Sequence, residues 1–112
     1  YFSSTGLELD LMAPGYEIYT TDLFGGYAYE AGTSMAAPFV AGTAALFIHN
    51  GVSDVWDALV STAIDLGPVG FDTQYGYGLV NAAAAAVIPA PSALGLALLG
   101  AALVRRERRR SR

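Results

Sequence analysis

The stretch from residue 30 to residue 51, EAGTSMAAPFVAGTAALFIHNG, most constrains how this chain can fold. Its Ala and Gly residues are spread almost all round a helix, at Ala36, Ala37, Ala41, Gly42, Ala44 and Ala45. A helix with small residues on most faces is normally buried, because neighbouring elements approach its backbone closely. We therefore predict a buried helix that Thr33 or Ser34 caps and that stops at Gly51.

Short strands are predicted before this helix. Residues 7–11, LELDL, alternate apolar and acidic side chains, as a half-buried strand does. Residues 16–20 and 27–31 are rich in aromatic and β-branched types and suit strands on either side of a turn at Gly25 and Gly26.

Two further helices are predicted after it. The second helix begins with Ser53 as its N-cap and Asp54 in its first turn, and the third spans about residues 79–86, after the Gly-rich residues 75–78. Strands and helices in this mixture indicate an α/β fold. An open sheet needs more strands than the chain offers, so we expect the rest of the sheet to lie outside it.

The charge is divided along the sequence. No Lys is present and all six Arg lie between Arg105 and Arg112, so residues 1–104 carry a net charge of −9 and the last eight residues carry +5. An acidic body has nothing with which to neutralise phosphates, which disfavours nucleic-acid binding there, whereas the basic tail could contact nucleic acid or anionic lipid. The absence of Cys excludes disulfides, a thiolate nucleophile and a zinc–thiolate site.

Ser34 has two interpretations. Serine is common at a helix N-cap, where it satisfies a free N–H, and position alone favours that interpretation. A serine at a helix start also lies beside unpaired N–H groups and the positive end of the helix dipole, which would stabilise an oxyanion formed by its attack on a carbonyl. Gly32 would let a substrate backbone come close, and Pro38 leaves the Ser34 carbonyl without its usual helical partner.

The sequence around Ser34 carries a family resemblance. GTSMAAPFVAG, residues 32–42, resembles the nucleophile motif of the subtilisin-like serine proteases, in which Gly32, Thr33, Met35, Ala36 and Pro38 surround the serine. Residues 2–15 and 75–85 resemble the family's segments before the nucleophile and at its closing helix. The match covers about residues 1–86 and implies the C-terminal part of a subtilisin-like catalytic domain, with a parallel sheet and packed helices. It favours Ser34 as a nucleophile, which can also be a cap.

The resemblance implies a serine endopeptidase that hydrolyses protein or peptide substrates through an acyl-enzyme on Ser34. The family's triad follows the order Asp, His, Ser, so its Asp, its His and the oxyanion Asn would all precede Tyr1. His49 is fifteen residues past Ser34 on the same helix, which places it about 22 Å away and excludes it as the base. Asp10, Asn50 and Asn81 do not match the missing positions either.

We therefore interpret the chain, which begins at Tyr1 without Met, as an incomplete part that is inactive by itself. The alternative is a catalytically inactive, membrane-tethered remnant that acts as a surface or interaction module. No cofactor is expected in this segment, although the resemblance leaves room for structural calcium in the missing part.

Two residue clusters admit a binding interpretation. The four residues Tyr27, Tyr29, Tyr75 and Tyr77 could stack on sugars or bases, but aromatic packing at turns is favoured. The acid pairs Glu8/Asp10 and Asp54/Asp57 lack the dense oxygen ligands of a calcium loop, so we predict solvated faces and no metal site.

The last segment, residues 87–112, has three parts. Pro89-Ala90-Pro91 is followed by an apolar run over residues 93–104 and then by an Arg cluster that includes Arg105, Arg106, Arg108, Arg109 and Arg110. The run predicts a short hydrophobic helix of about 18 Å, against a hydrocarbon core of about 30 Å, which is more typical of a processing signal than of a permanent span. Arg-rich flanks stay cytoplasmic, so the body would lie outside.

This order of parts is similar to the PEP-CTERM sorting tail of Gram-negative bacteria, with Pro-Ala-Pro in place of the usual Pro-Glu-Pro. The resemblance implies membrane contact through residues 92–104, recognition by an exosortase-like transpeptidase, and export to the cell envelope or outer surface.

Overall fold

The computed structural model describes residues 3–87, which form two strands and three helices. In chain order these are β1 (Ile18–Thr21), β2 (Tyr27–Glu30), α1 (Thr33–His49), α2 (Val55–Ser61) and α3 (Ala82–Val87). The predicted α/β composition is therefore confirmed.

The two strands form an antiparallel hairpin in which Tyr19 pairs with Tyr29 and Thr21 with Tyr27. Two hydrogen bonds close its turn: the Asp22 N–H donates to the Gly26 carbonyl at 2.9 Å, and the Gly25 N–H donates to the Asp22 carbonyl at 3.2 Å. Gly25 has a φ of 81°, a conformation that glycine adopts without steric cost. The predicted turn at Gly25 and Gly26 is confirmed.

The two faces of the hairpin differ in exposure. Alternation along a strand puts Ile18, Thr20 and Ala28 on one face, where all three are half-buried. The opposite face carries Tyr19, Thr21, Tyr27 and Tyr29, and all four are exposed. We call this second set the tyrosine face.

The core lies where the three helices meet. Its buried apolar residues are Phe47 from α1, Ala58 and Leu59 from α2, and Ala85 from α3. The Asn50 side-chain amide donates to the Ala85 carbonyl at 2.5 Å and so joins the end of α1 to α3. Thr43, the buried polar residue of α1, donates its hydroxyl to the Phe39 carbonyl at 2.8 Å.

Residues 10–12, which precede the hairpin, are hydrogen-bonded to residues 77–80, near the end of the described part of the chain. The Met12 N–H donates to the Gly78 carbonyl, the Tyr77 N–H to the Asp10 carbonyl and the Val80 N–H to the Met12 carbonyl, at 2.7–2.8 Å. Gly76 permits this approach, because it has a positive φ and an added Cβ would collide with the Asp10 carbonyl. Gly78 also has a positive φ and lies in the same way against the Ile64 carbonyl. Residues about 66 apart in sequence are thereby fixed side by side.

The parallel sheet that the resemblance implied is not found in residues 3–87, where the sheet is the two-stranded antiparallel hairpin. Strands joined by a five-residue turn can only run antiparallel, since a parallel pair needs a crossover of a dozen or more residues. The single parallel pairing there is the isolated bridge between Met12 and Leu79.

Two of the predicted strands differ from the structure. The strand at 7–11 is wrong, because Leu7 and Glu8 lie in a turn that the Leu9 N–H closes on the Gly6 carbonyl at 3.2 Å. β1 begins two residues later than predicted, because Glu17 has a left-handed φ of 52°. β2 lies within the predicted 27–31.

The helix ends also differ. The N-cap of α1 is Gly32, without a side-chain hydrogen bond, and that of α2 is Asp54, whose carboxylate accepts the Asp57 N–H at 3.0 Å; the predicted caps at Thr33 or Ser34 and at Ser53 are wrong. The third helix starts at Ala82 rather than Leu79, because Leu79 bridges to Ile64.

The expected burial of α1 on most faces is not met in residues 3–87. Only Thr43 and Phe47 of this helix are buried, and Phe39, Leu46 and Ile48 are 44–63% exposed. The other two helices cover one side of α1, and the hairpin is too small to cover the rest.

The predictions for residues 88–112 lie outside the described residues. They concern Pro89 and Pro91, the apolar run over 93–104 with its short hydrophobic helix, the membrane contact over 92–104, and the Arg cluster from Arg105 to Arg110. Among residues 3–87, no helix has both the length and the hydrophobicity to cross a membrane.

Candidate active site

Two glycines fix the backbone that leads into Ser34. The Gly32 N–H donates to the Gly15 carbonyl at 2.7 Å, and the Gly32 carbonyl in turn accepts the Met35 N–H at 3.0 Å. A Cβ added to Gly15 would lie 2.9 Å from the Gly32 oxygen and 3.3 Å from the Ala36 Cβ. Gly32 has a φ of 151° and a ψ of 163°, which L-residues rarely adopt. The chain enters α1 through this close backbone contact.

Ser34 is the second residue of α1 and its side chain is exposed. The first N–H groups of a helix have no partner within the helix, and the helix dipole adds positive potential at this end. The first turn of α1 contains no acidic residue to neutralise that potential. When a hydroxyl at this place attacks a carbonyl, the oxyanion that forms can therefore accept hydrogen bonds from these backbone N–H groups.

The neighbours of Ser34 form the start of α1. Pro38 lies inside the helix, which continues unbroken to His49 although proline supplies no N–H to the Ser34 carbonyl. Met35 and Ala36 are half-buried, whereas Thr33 is exposed. The structure thus brings together at one helix end all six motif residues, Gly32, Thr33, Ser34, Met35, Ala36 and Pro38.

A cavity of about 420 Å³ adjoins this helix end. Gly15, Gly32, Thr33 and Ala36 line it together with apolar side chains of residues 9–13, and Ser34 is not in its lining. None of the described lining residues is Asp, Glu or His, so this cavity offers no acid or base to the serine.

Four polar residues were excluded from the triad on sequence grounds. One of them lies far from Ser34, and the other three make hydrogen bonds with backbone groups of other residues. His49 is the last residue of α1 and lies fifteen residues after Ser34, which the helical rise converts to a separation of about 22 Å. The Asn50 amide is bonded to Ala85, and the Asn81 carboxamide oxygen accepts the Ala84 N–H at 3.3 Å. The Asp10 carbonyl accepts the Tyr77 N–H.

The four tyrosines grouped in the sequence do not form one platform, and the Tyr75 ring lies beside Gly67. Tyr27 and Tyr29 join Tyr19 on the hairpin, where Tyr19 lies 5.4 Å from Tyr27 and 5.1 Å from Tyr29 between ring centroids. Tyr77 instead packs against Phe71 at 5.0 Å and Trp56 at 6.3 Å. In residues 3–87, no group of three or more His, Asp or Glu side chains is placed to hold a metal ion.

Sequence reasoning missed two residues that shape this region. Gly15 supports Gly32 across seventeen positions, and nothing in the motif itself points to it. Tyr19 completes the tyrosine face, and the alternation of residues 16–20 could have revealed it once the register with Tyr29 was known.

Comparison with known proteins places these features in context. The model of the subtilase family matches residues 1–78. Subtilisin DY of Bacillus licheniformis is 46% identical over 89 residues, which cover 76% of this chain and 31% of that protein. Subtilisin E of Bacillus subtilis (strain 168) is 48% identical over 89 residues, covering 76% of this chain and 23% of that protein.

A solved structure is similar as well. The crystal structure of a lanthipeptide protease superposes with a TM-score of 0.60 at 31% identity, over 72% of this chain and 34% of that one. The chain spans less than a third of the length of the two subtilisins.

Proposed function

This chain belongs to the subtilase family, and from that premise we propose that it is part of a serine endopeptidase whose nucleophile is Ser34. The observation that carries the proposal is the exposed Ser34 hydroxyl in the first turn of a seventeen-residue helix, behind the Gly15–Gly32 backbone contact. The substrates are proteins or peptides.

The proposed reaction is acyl transfer. The Ser34 Oγ attacks the scissile carbonyl carbon while its proton passes to a histidine base, and the resulting oxyanion accepts hydrogen bonds from backbone N–H groups, including that of Ser34. The base returns the proton to the leaving amine as the C–N bond breaks. Water then hydrolyses the acyl ester and restores the Ser34 hydroxyl.

The base must come from a part of the protein other than residues 1–112. A serine hydroxyl is a weak nucleophile at neutral pH without an adjacent base, and His49, the only histidine of the sequence, is held at the far end of α1. We therefore propose that the 112 residues alone hydrolyse no peptide. The triad Asp and the oxyanion Asn would belong to the same further part, which is also where structural calcium would bind.

A fluorophosphonate probe tests the nucleophile directly. The complete protein should be labelled at Ser34, as peptide mapping by mass spectrometry would show, and should lose labelling and peptide hydrolysis in Ser34→Ala. Ser53→Ala is the matched control, because Ser53 is also exposed and precedes a helix but has no proposed role. Undiminished hydrolysis by Ser34→Ala would remove Ser34 from the mechanism, and labelling of the isolated 112 residues would show that the base has been misplaced.

We further propose that residues 1–86 are the catalytic part and residues 87–112 a sorting tail. The support is the order Pro89-Ala90-Pro91, apolar run and Arg cluster, together with the acidic body that precedes it. The tail would contact the membrane through residues 92–104 and be recognised by an exosortase-like transpeptidase, so that the protein is exported to the cell envelope.

Two measurements test the tail. Intact-mass analysis of the mature protein from its native host should find a C-terminus between Pro89 and Pro91. Replacing Arg105, Arg106, Arg108, Arg109 and Arg110 by neutral residues should weaken membrane retention and release protein outward. A mature chain that still ends at Arg112 would favour a simple anchor over sorting.

The alternative function is an inactive, membrane-tethered remnant. The observation that favours it is that the only histidine within the 112 residues is out of reach of Ser34. Reading the coding DNA upstream of Tyr1 separates the two functions, since an in-frame region with the Asp and His supports the protease and a stop followed by a start supports the remnant.

A further inference from the structure

The tyrosine face is an exposed aromatic surface close to Ser34 in the chain. Tyr19, Tyr27 and Tyr29 are 62–71% exposed, although tyrosine normally buries much of its ring. The three rings contact one another, with Tyr19 in the middle, stacked on Tyr27 at an interplanar angle of 20° and tilted against Tyr29 at 47°. Together they form a continuous ring surface that faces solvent.

The charge around this face has one sign. Glu17 precedes β1 and Asp22 follows it, and both side chains are exposed, so a carboxylate stands at each end of the strand that carries Tyr19. No Lys or Arg occurs before Arg105 in the sequence, so no basic side chain of residues 1–104 can neutralise these acids. Ring faces carry negative electrostatic potential and attract cations, and flanking carboxylates strengthen that attraction.

The position of the face relative to Ser34 limits what it can contact. β2 ends at Glu30 and Ser34 follows four residues later, so the Cα atoms of Tyr29 and Ser34 are at most about 17 Å apart. An extended peptide with its scissile bond at Ser34 can therefore reach the face with a side chain within about five residues of that bond.

We infer that the tyrosine face, with Glu17 and Asp22 at its ends, binds a Lys or Arg side chain of the peptide substrate and so selects for basic residues a few positions from the cleaved bond. This inference rests on the proposed endopeptidase function. Charge complementarity favours a cationic peptide over a carbohydrate, the other common partner of stacked aromatic rings, because the two carboxylates attract a positive charge that a neutral sugar does not carry.

The first experiment measures cleavage. An uncharged ten-residue peptide that the complete protein cleaves is compared with a series in which one Arg, or its isosteric control Gln, moves along the sequence. At one or two positions within five residues of the cleaved bond, kcat/KM should be about two- to five-fold higher for Arg than for Gln. A ratio near one at every position would overturn the inference.

The variants separate ring chemistry from hydroxyl chemistry and from packing. In Tyr19→Leu/Tyr29→Leu the Arg-to-Gln ratio should fall toward one, because two of the three rings, including the central one, are gone. In Tyr19→Phe/Tyr29→Phe the ratio should persist, because phenylalanine keeps the ring. Loss of the ratio in the Phe variant would contradict a cation–ring contact. Glu17→Gln should lower the ratio, and raising the salt concentration should lower it in the parent.

A binding experiment keeps the inference independent of catalysis. The complete Ser34→Ala protein should bind a fluorescent Arg peptide more tightly than its Gln twin, by fluorescence anisotropy, with the preference again lost in the Leu variant. If the complete protein is not labelled by the probe and hydrolyses no peptide, the proposed function is rejected. The binding measurement still decides whether the tyrosine face is a cation site. Equal binding of the two peptides, with dextran binding that disappears in the Leu variant, would overturn the inference in favour of a carbohydrate surface.

Discussion

Replacing Gly15 by alanine should impair Ser34 without touching it. The added Cβ would meet the Gly32 carbonyl oxygen at 2.9 Å, whereas ordinary contacts begin near 3.4 Å, so one backbone must retreat by about half an ångström. The Gly32 carbonyl holds the first turn of α1 by accepting the Met35 N–H, so the shift passes to the two residues between them, Thr33 and Ser34.

The magnitude follows from these distances. Overpacking of this kind costs about 1–3 kcal/mol of folding free energy. A misplacement of 1 Å in a catalytic group costs about a hundredfold in rate, so half that shift should cost about tenfold. We expect the complete Gly15→Ala protein to show about tenfold lower kcat/KM and equally slower fluorophosphonate labelling of Ser34.

Gly26→Ala is the matched control, because no heavy atom lies within 4 Å of its added Cβ. Its labelling rate should equal that of the parent, and urea unfolding of both variants would separate a displaced nucleophile from a loss of folded protein. Normal labelling by a folded Gly15→Ala protein would refute the idea that the Gly15–Gly32 contact positions Ser34.

Three further predictions concern single residues. Met35→Ala should keep more activity than the parent after peroxide, because sulfoxide formation places a polar oxygen beside the nucleophile; equal inactivation of both would reject this. Gly78→Ala should lower the free energy of unfolding by at least about 2 kcal/mol, since the Cβ collides with a backbone carbonyl at a φ of +113°; Gly70→Ala, with a φ of +88° and open space, should cost less in the same urea titration. Asp54→Ala should cost about 1 kcal/mol by loss of the α2 cap, while Ser53→Ala should change stability by less than half of that, and the reverse order would restore Ser53 as the cap.

The parts of the fold that were predicted correctly are determined by residues close together in the sequence. The hairpin follows from aromatic and β-branched residues on either side of Gly25 and Gly26, and α1 ends where Gly51 takes a φ of 77°. The motif around Ser34 is contiguous, so its residues necessarily meet at one helix end.

Non-local pairing accounts for what was missed. Residues 7–11 alternate as a strand does, yet Asp10 and Met12 make their backbone hydrogen bonds with residues 77–80 around an isolated parallel bridge, and alternation carries no information about that partner. A helix start at Leu79 is predicted because the residues after it are helix formers. In the structure, however, the backbone N–H and carbonyl of Leu79 are hydrogen-bonded to Ile64. Contacts over such separations leave no periodic signal in a single sequence.

The hydrogen bonds that join residues 10–12 to residues 77–80 also set the order in which this chain can fold. Closing a loop of about 66 residues carries an entropy cost that local helices do not, so α1 and α2 can form before the segment that ends at Gly15 finds its place. The full set of hydrogen bonds between residues 10–12 and residues 77–80 can therefore form only after Val80 has been synthesised. A chain that stops short of that residue would contain the entire nucleophile motif and yet lack the backbone hydrogen bonds that hold the approach to it in position.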